Sequence, residues 1–170
     1  MNNLNRFSKF FLFITCLAGA LWTGSYVVRL STTYGFFEDT DFILKPYYNT
    51  GNLSEIFVTL LPLFTSTFVL YIIFFVFFIL FLITSKVSLK LNGWLFLITI
   101  LVLITFPFEA YLMTIDWKII TLIHSEVFNP NDIIELIRER FKIFSSFPVI
   151  EIFSYFAIVF LFIYKPLIKD

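Results

Sequence analysis

Apolar positions in this chain run in long unbroken stretches rather than in short alternations. Four such stretches stand out, over about residues 7–30, 55–84, 91–113 and 148–164. Each approaches or exceeds the roughly 20 apolar residues that carry a helix across a bilayer. The polar connection at 85–91 is short, so the second and third stretches form a helical hairpin. The segments at 31–54 and 114–147 read as loops on the far side of that hairpin. The pattern predicts an all-α membrane protein, a bundle of four transmembrane helices with a loop cap, in one domain over 1–170.

Both loops show local order. Residues 31–54 mix aromatic, acidic and turn-forming residues, with Gly35, Pro46, Asn49, Gly51 and Asn52 favouring an ordered loop without much regular structure. Within 114–147, Asn129 suits a helix N-cap, Pro130 the first helical position and Asp132 the positive helix end. Ile133, Ile137, Phe141 and Phe144 then recur at helical spacing, while Glu135, Arg138, Glu139 and Lys142 fall mostly on the other side. That amphipathic helix suits the membrane–water interface. Packing on the bundle is the equal alternative.

Charge adds an orientation. Arg6, Lys9, Lys86, Lys90, Lys165 and Lys169 flank the apolar runs at the N-terminus, the hairpin turn and the C-terminus, accompanied only by Asp170. The remaining six bases and eleven acids lie elsewhere. Positive residues are retained on the cytoplasmic side. Both termini are therefore expected in the cytoplasm and the loops outside, as in a multi-pass protein of a bacterial cytoplasmic membrane. The first stretch also imitates a signal peptide, with Arg6 and Lys9 before an apolar run and Ala18-Gly19-Ala20 as a cleavage-like triplet. The run continues through 21–28, which favours an uncleaved helix.

Composition agrees and narrows the chemistry. The 170 residues are 59% hydrophobic and 14% charged, against about a quarter charged in soluble domains. One cysteine, Cys16, excludes an intrachain disulfide, and one histidine, His124, excludes bis-histidine haem from this chain alone. No metal site, cofactor motif or basic nucleic-acid patch is present. The expectation is a protein without a catalytic set. An enzyme would have to rest on Glu109, Glu151, Asp116 or His124 without a recognisable pairing.

Three groups of residues are candidates for function. Arg29, Glu109 and Glu151 are charged residues at membrane depth. At about 1.5 Å rise per residue, Arg29 and Glu109 stand roughly 30 Å above the inner anchors, with Glu151 deeper at about 21 Å. An ionisable group there is a functional candidate, and pairing of Arg29 with Glu109 or Glu151 is the plainer reading. Pro62, Pro107 and Pro148 in the outer halves suggest a splayed, partly polar vestibule above a dry inner half. Phe36, Phe37, Glu38, Asp39, Tyr47 and Tyr48 offer an aromatic–acidic surface for a protein partner. Cys16, Ala20 and Gly24 form a small-residue stripe that permits close helix approach. Packing within its own bundle is favoured for the stripe over docking on another protein.

Val28-Arg29-Leu30, Phe36-Phe37-Glu38-Asp39 with Lys45-Pro46, and Arg138-Glu139-Arg140-Phe141 follow an order of features that resembles the small exosortase-associated membrane proteins. Glu139 interrupts the adjacent basic pair of that pattern. The resemblance implies an accessory role beside a membrane-embedded sorting enzyme and transfers no catalytic residue. The leading expectation is a non-catalytic accessory subunit, in contact with lipid and one membrane-protein partner. The alternative is a small proton- or cation-coupled carrier or channel subunit using Glu109 and Glu151.

Overall fold

A computed structural model describes residues 4–38, 41–125, 127–144 and 146–167. The described residues are nearly all helical and form five helices. They are α1 (Arg6–Tyr34), α2 (Thr50–Ser85), α3 (Gly93–His124), α4 (Pro130–Ile143) and α5 (Phe147–Tyr164). Two strands, β1 (Phe37–Glu38) and β2 (Ile43–Leu44), pair antiparallel between α1 and α2. All but α4 are long and apolar enough to cross a membrane.

The helix ends explain where sequence boundaries moved. Asn49 and Asn52 form a reciprocal capping box, so α2 starts at Thr50 rather than near residue 55. The Asn-Gly-Asn cluster is thus a helix start, not loop. α3 runs to His124, eleven residues past the expected end at Met113. The loop expected over 114–147 is therefore mostly helix. α4 begins as anticipated, with the Asn129 side chain accepting from the Asn131 amide and Pro130 in the first turn.

The long helices alternate in direction. α1 packs on α2, α2 on α3, and α3 on α5. Buried positions of α1 (Thr15, Ala18, Trp22, Tyr26, Arg29, Thr33) recur every three or four residues, as do those of α2 (Phe64, Thr67, Tyr71, Phe74, Phe78, Phe81). This is the spacing of a narrow helix seam. Trp22 packs against Tyr71 and stacks on Phe74. Phe75 of α2 stacks on Phe106 of α3 at 3.9 Å.

Two apolar cores result. The inner one holds Trp22, Tyr71, Phe74, Phe78, Phe81, Trp94, Ile98 and Val102, without an Asp, Glu, Lys or Arg. The outer one gathers Phe36, Phe37, Leu53, Phe57, Phe64, Leu112, Ile119, Ile133 and Ile137. Among the described residues the region of the anticipated outer vestibule is packed by the apolar face of α4 and the two loop phenylalanines. Pro148 lies in the first turn of α5, where it breaks no helical hydrogen bond. The apolar face of α4 is covered by α2 and α3 rather than left free for lipid.

The loop phenylalanines correct the expected partner surface. Phe36 and Phe37 are only 2% and 3% exposed. Gly35 turns the chain and the short hairpin folds both rings inward. Phe36 packs on Phe57 and Tyr48, and Phe37 on Phe42 and Phe141. Arg138 holds the hairpin tip by donating to the Phe42 carbonyl at 2.8 Å, with its guanidinium near the Phe37 ring. Tyr47 is 61% exposed, Glu38 is exposed and Tyr48 half-buried. Asp39 lies outside the described residues.

Phe36→Ala should therefore destabilise the fold by about 3–5 kcal/mol, the usual cost of truncating a buried phenylalanine. Tyr47→Ala should stay within about 0.5 kcal/mol. Unfolding midpoints in mild detergent compare the two directly. Equal effects would place Phe36 on the surface.

Candidate functional site

Arg29, Glu109 and Glu151 come together, as their estimated depths suggested, but with different partners. On α3, Glu109, Leu112, Asp116 and Ile119 share one face and are all buried. Asp116 is two turns beyond Glu109, pointing to the same side. The Arg29 Nη1 atom donates to Asp116 Oδ2 at 2.7 Å, with both side chains almost fully buried. Asp116, not Glu109 or Glu151, is therefore the partner of Arg29. The reason is the length of α3: its last eleven residues carry Asp116 back over α1.

A second arginine completes the arrangement. Arg140 enters from α4, with its side chain only 13% exposed. Its Nη2 lies 3.5 Å from Glu109 Oε1, and its Nη1 lies 3.5 Å from Asp116 Oδ2. Burial alone would lower the proton affinity of the Arg140 guanidinium. The neighbouring Asp116 and Glu109 outweigh that and hold it above its ordinary value. It stays charged wherever the protein folds. The Arg29 guanidinium also lies 5.4 Å from the ring centre of Tyr26, one turn earlier on α1.

Glu151 closes the group from α5. It is buried, with Tyr26 and Glu109 as polar neighbours. Among the described residues neither of its carboxyl oxygens has a hydrogen bond, and neither have Glu109 Oε2, Asp116 Oδ1 or Arg140 Nη1. Two bases thus face three acids, contributed by four different helices. A cavity of about 20 Å³ lies beside them, lined by Tyr26, Arg29, Thr33 and Arg140 among others. That is room for about one water molecule, too little for a substrate.

The chemistry open to this cluster is narrow. It presents carboxylates and the Tyr26 hydroxyl rather than a serine, cysteine or histidine, and the His124 ring is engaged elsewhere, its Nδ1 lying 2.9 Å from the Ile120 carbonyl. Among the described residues no group of His, Cys, Asp or Glu side chains is placed to hold a metal ion. What its ion pairs do is tie α1, α3 and α4 together at one level, with Glu151 of α5 buried beside them.

The small-residue stripe takes the other orientation from the one favoured in the sequence. Cys16, Ala20 and Gly24 lie on the open face of α1. A Cβ built on Gly24 meets nothing within 4 Å. The packed small residue is Gly19, where a Cβ would lie 3.1 Å from the Phe74 ring and 3.3 Å from Tyr155. The buried seam passes through Thr15, Ala18, Gly19 and Trp22, so the stripe one residue away faces outward.

Sequence reasoning missed Asp116, Arg140 and Tyr26 as members of the site. The signals were present. Asp116 follows Glu109 by seven residues, and Arg140 follows Ile137 by three on the apolar face of α4. Tyr26 precedes Arg29 by three. Compared with known proteins, the chain matches no family model, no curated protein and no solved structure.

Breaking one partner of a buried ion pair costs about 3–5 kcal/mol, because the other charge is left stranded. Arg29→Met should lose about that much, and Arg29→Met with Asp116→Leu should recover part of it. The same cycle with Glu151→Gln should be closer to additive. Thermal unfolding in detergent measures both. An additive Arg29–Asp116 cycle would break the assignment.

Proposed function

We propose that the protein is a non-catalytic accessory subunit of a larger membrane complex, embedded in a bacterial cytoplasmic membrane with both termini in the cytoplasm. The observation that carries this reading is the internal use of the charges at membrane depth. Arg29, Asp116, Arg140 and Glu109 are engaged with one another, Glu151 is buried beside them, and among the described residues no other Asp, Glu, Lys or Arg is buried. A carrier needs an ionisable group that changes partners along a path. A scaffold needs its helices held at fixed angles, and this cluster supplies that.

The outward stripe of α1 supports a helix-on-helix contact. Small residues on an open helix face let a second backbone come close in lipid. Ala20 and Gly24 offer such a face, and the resemblance to exosortase-associated proteins points to the same class of role. In this reading the second core, with α4, the hairpin and the far ends of α2 and α3, stands at the outer boundary of the bilayer.

Orientation has a direct test. In a Cys16-free background, a cysteine at Ser88 should resist membrane-impermeant thiol reagents in intact cells, and one at Thr50 should react. Both positions are exposed. The reverse pattern would invert the topology.

The subunit reading is tested at Gly24. Gly24→Leu has space in the protein itself and should leave its thermal stability unchanged, whereas Gly19→Leu should lower it by about 1–3 kcal/mol through overpacking. Gly24→Leu should nevertheless abolish recovery of a stoichiometric partner from a mild detergent extract. The purified protein in liposomes should show no proton or cation flux. Flux that Glu151→Gln removes, with no partner recovered, would favour the carrier instead.

A further inference from the structure

The charge cluster does not balance. Arg29 and Arg140 supply two positive charges, while Glu109, Asp116 and Glu151 supply three negative ones if every carboxyl is ionised. No third base reaches the group among the described residues. Arg29 and the three acids are each at most 3% exposed, so little water is there to screen the surplus. A charge buried without a partner is among the least favourable arrangements a fold can contain.

The surplus falls on one residue. Asp116 accepts from Arg29 at 2.7 Å, and Glu109 Oε1 lies 3.5 Å from Arg140. Glu151 has neither an ion pair nor a hydrogen bond to either oxygen among the described residues, and Glu109 Oε2 is unpartnered as well. These two carboxyl groups are neighbours where α3 meets α5. Facing Glu151 from the other helices are Tyr26 of α1, Tyr71 of α2 and Arg140 of α4, with Arg29 and Asp116 completing the cluster. Tyrosines are neutral at physiological pH, and α5 carries no other Asp, Glu, Lys or Arg. Three buried oxygens in two adjoining carboxyl groups therefore lack a donor. Buried polar atoms are rarely left so, and two carboxyl groups share a dry site when one of them keeps its proton.

We propose that Glu109 and Glu151 form a proton-binding site, in which one proton is held by Glu151 and donated to Glu109 Oε2. With the proton in place, two bases face two ionised acids. The Glu151 hydroxyl becomes a charge-assisted donor, the strong kind of hydrogen bond, and it joins α5 to the helices that the arginines already hold. A metal cation fits the site less well. Two carboxylates are a sparse ligand set, and the Arg140 guanidinium beside Glu109 repels a cation. The site does not depend on the subunit reading above.

The test uses full-length protein in a maltoside detergent, which has no carbonyl of its own. Exposed carboxyls are ionised at neutral pH, so a protonated-carboxyl band in the infrared spectrum reports the buried proton. The wild-type protein should show it. Glu151→Gln should lose it, and so should Glu109→Gln, because two bases then face two acids and Glu151 ionises. The unfolding equilibrium gives a second reading. An unfolded glutamate releases its proton above about pH 4.3, and the folded pair keeps it, so raising the pH favours unfolding. From about pH 5 to 8 the unfolding constant should rise up to about tenfold per pH unit more steeply in wild type than in Glu151→Gln. That slope and the wild-type band keep the test decisive should Glu109→Gln fail to fold. A wild-type spectrum without the band, a band that survives either substitution, or equal pH slopes would each overturn the site. Stabilisation by sodium over choline at equal ionic strength would overturn the proton in favour of a cation.

Discussion

Charge buried away from water is the constraint around which this protein is organised. An isolated guanidinium or carboxylate costs several kcal/mol to bury, and the cost falls only when an opposite charge meets it with good geometry. Arg29 meets that condition through Asp116 at 2.7 Å. The pair places α1 against the far end of α3, and Arg140 then brings α4 down onto both. Because each partner comes from a different helix, the cluster rejects most alternative ways of arranging those helices. Apolar packing alone would not: Leu, Ile and Phe faces in lipid exchange one another at small cost.

The two cores divide the labour. The inner core is aromatic and charge-free, and its helices meet along a regular seam. The outer core is built as in a small soluble domain, from a loop, a hairpin and an amphipathic helix closed over the ends of two long helices. The charge cluster sits where these two regimes meet. The amphipathic α4 belongs to the outer regime, yet its Arg140 reaches Glu109 and Asp116 of α3. Its position therefore decides whether the cluster is sealed.

Much of this was legible in the sequence, and the misses have physical causes. Four apolar runs indicated the number of long helices because each is long and apolar enough to cross a bilayer. The start of α4 was readable from Asn129 and Pro130, since caps are local. The end of α3 was not: residues 114–124 include Asp116, Trp117, Lys118 and His124, and look like loop when apolar content is the guide. Helical periodicity continues through Ile115, Ile119 and Ile123, and that signal was the better one. The same error hid Asp116 and so gave Arg29 the wrong partner. Phe36 and Phe37 looked like surface anchors because they adjoin Glu38 and Asp39. Only the turn at Gly35 and the facing Phe57 and Phe141, distant in sequence, show why they point inward. The Cys16–Ala20–Gly24 stripe failed for another reason. On a helix with small residues at 15, 16, 18, 19, 20 and 24, spacing by four does not choose which side is packed.

The separation of Arg29 from Asp116, 87 residues along the chain, also has a consequence in time. A ribosome adds about 5–20 residues per second, so roughly 4–17 s pass between the synthesis of the arginine and that of its aspartate. Arg140 follows later still. The second helix ends at Ser85, 31 residues before Asp116, so both early helices are made while the arginine still lacks its aspartate. Its long aliphatic stem lets the guanidinium stay hydrated meanwhile. Only the third helix supplies the partner at 2.7 Å that lets that charge be buried.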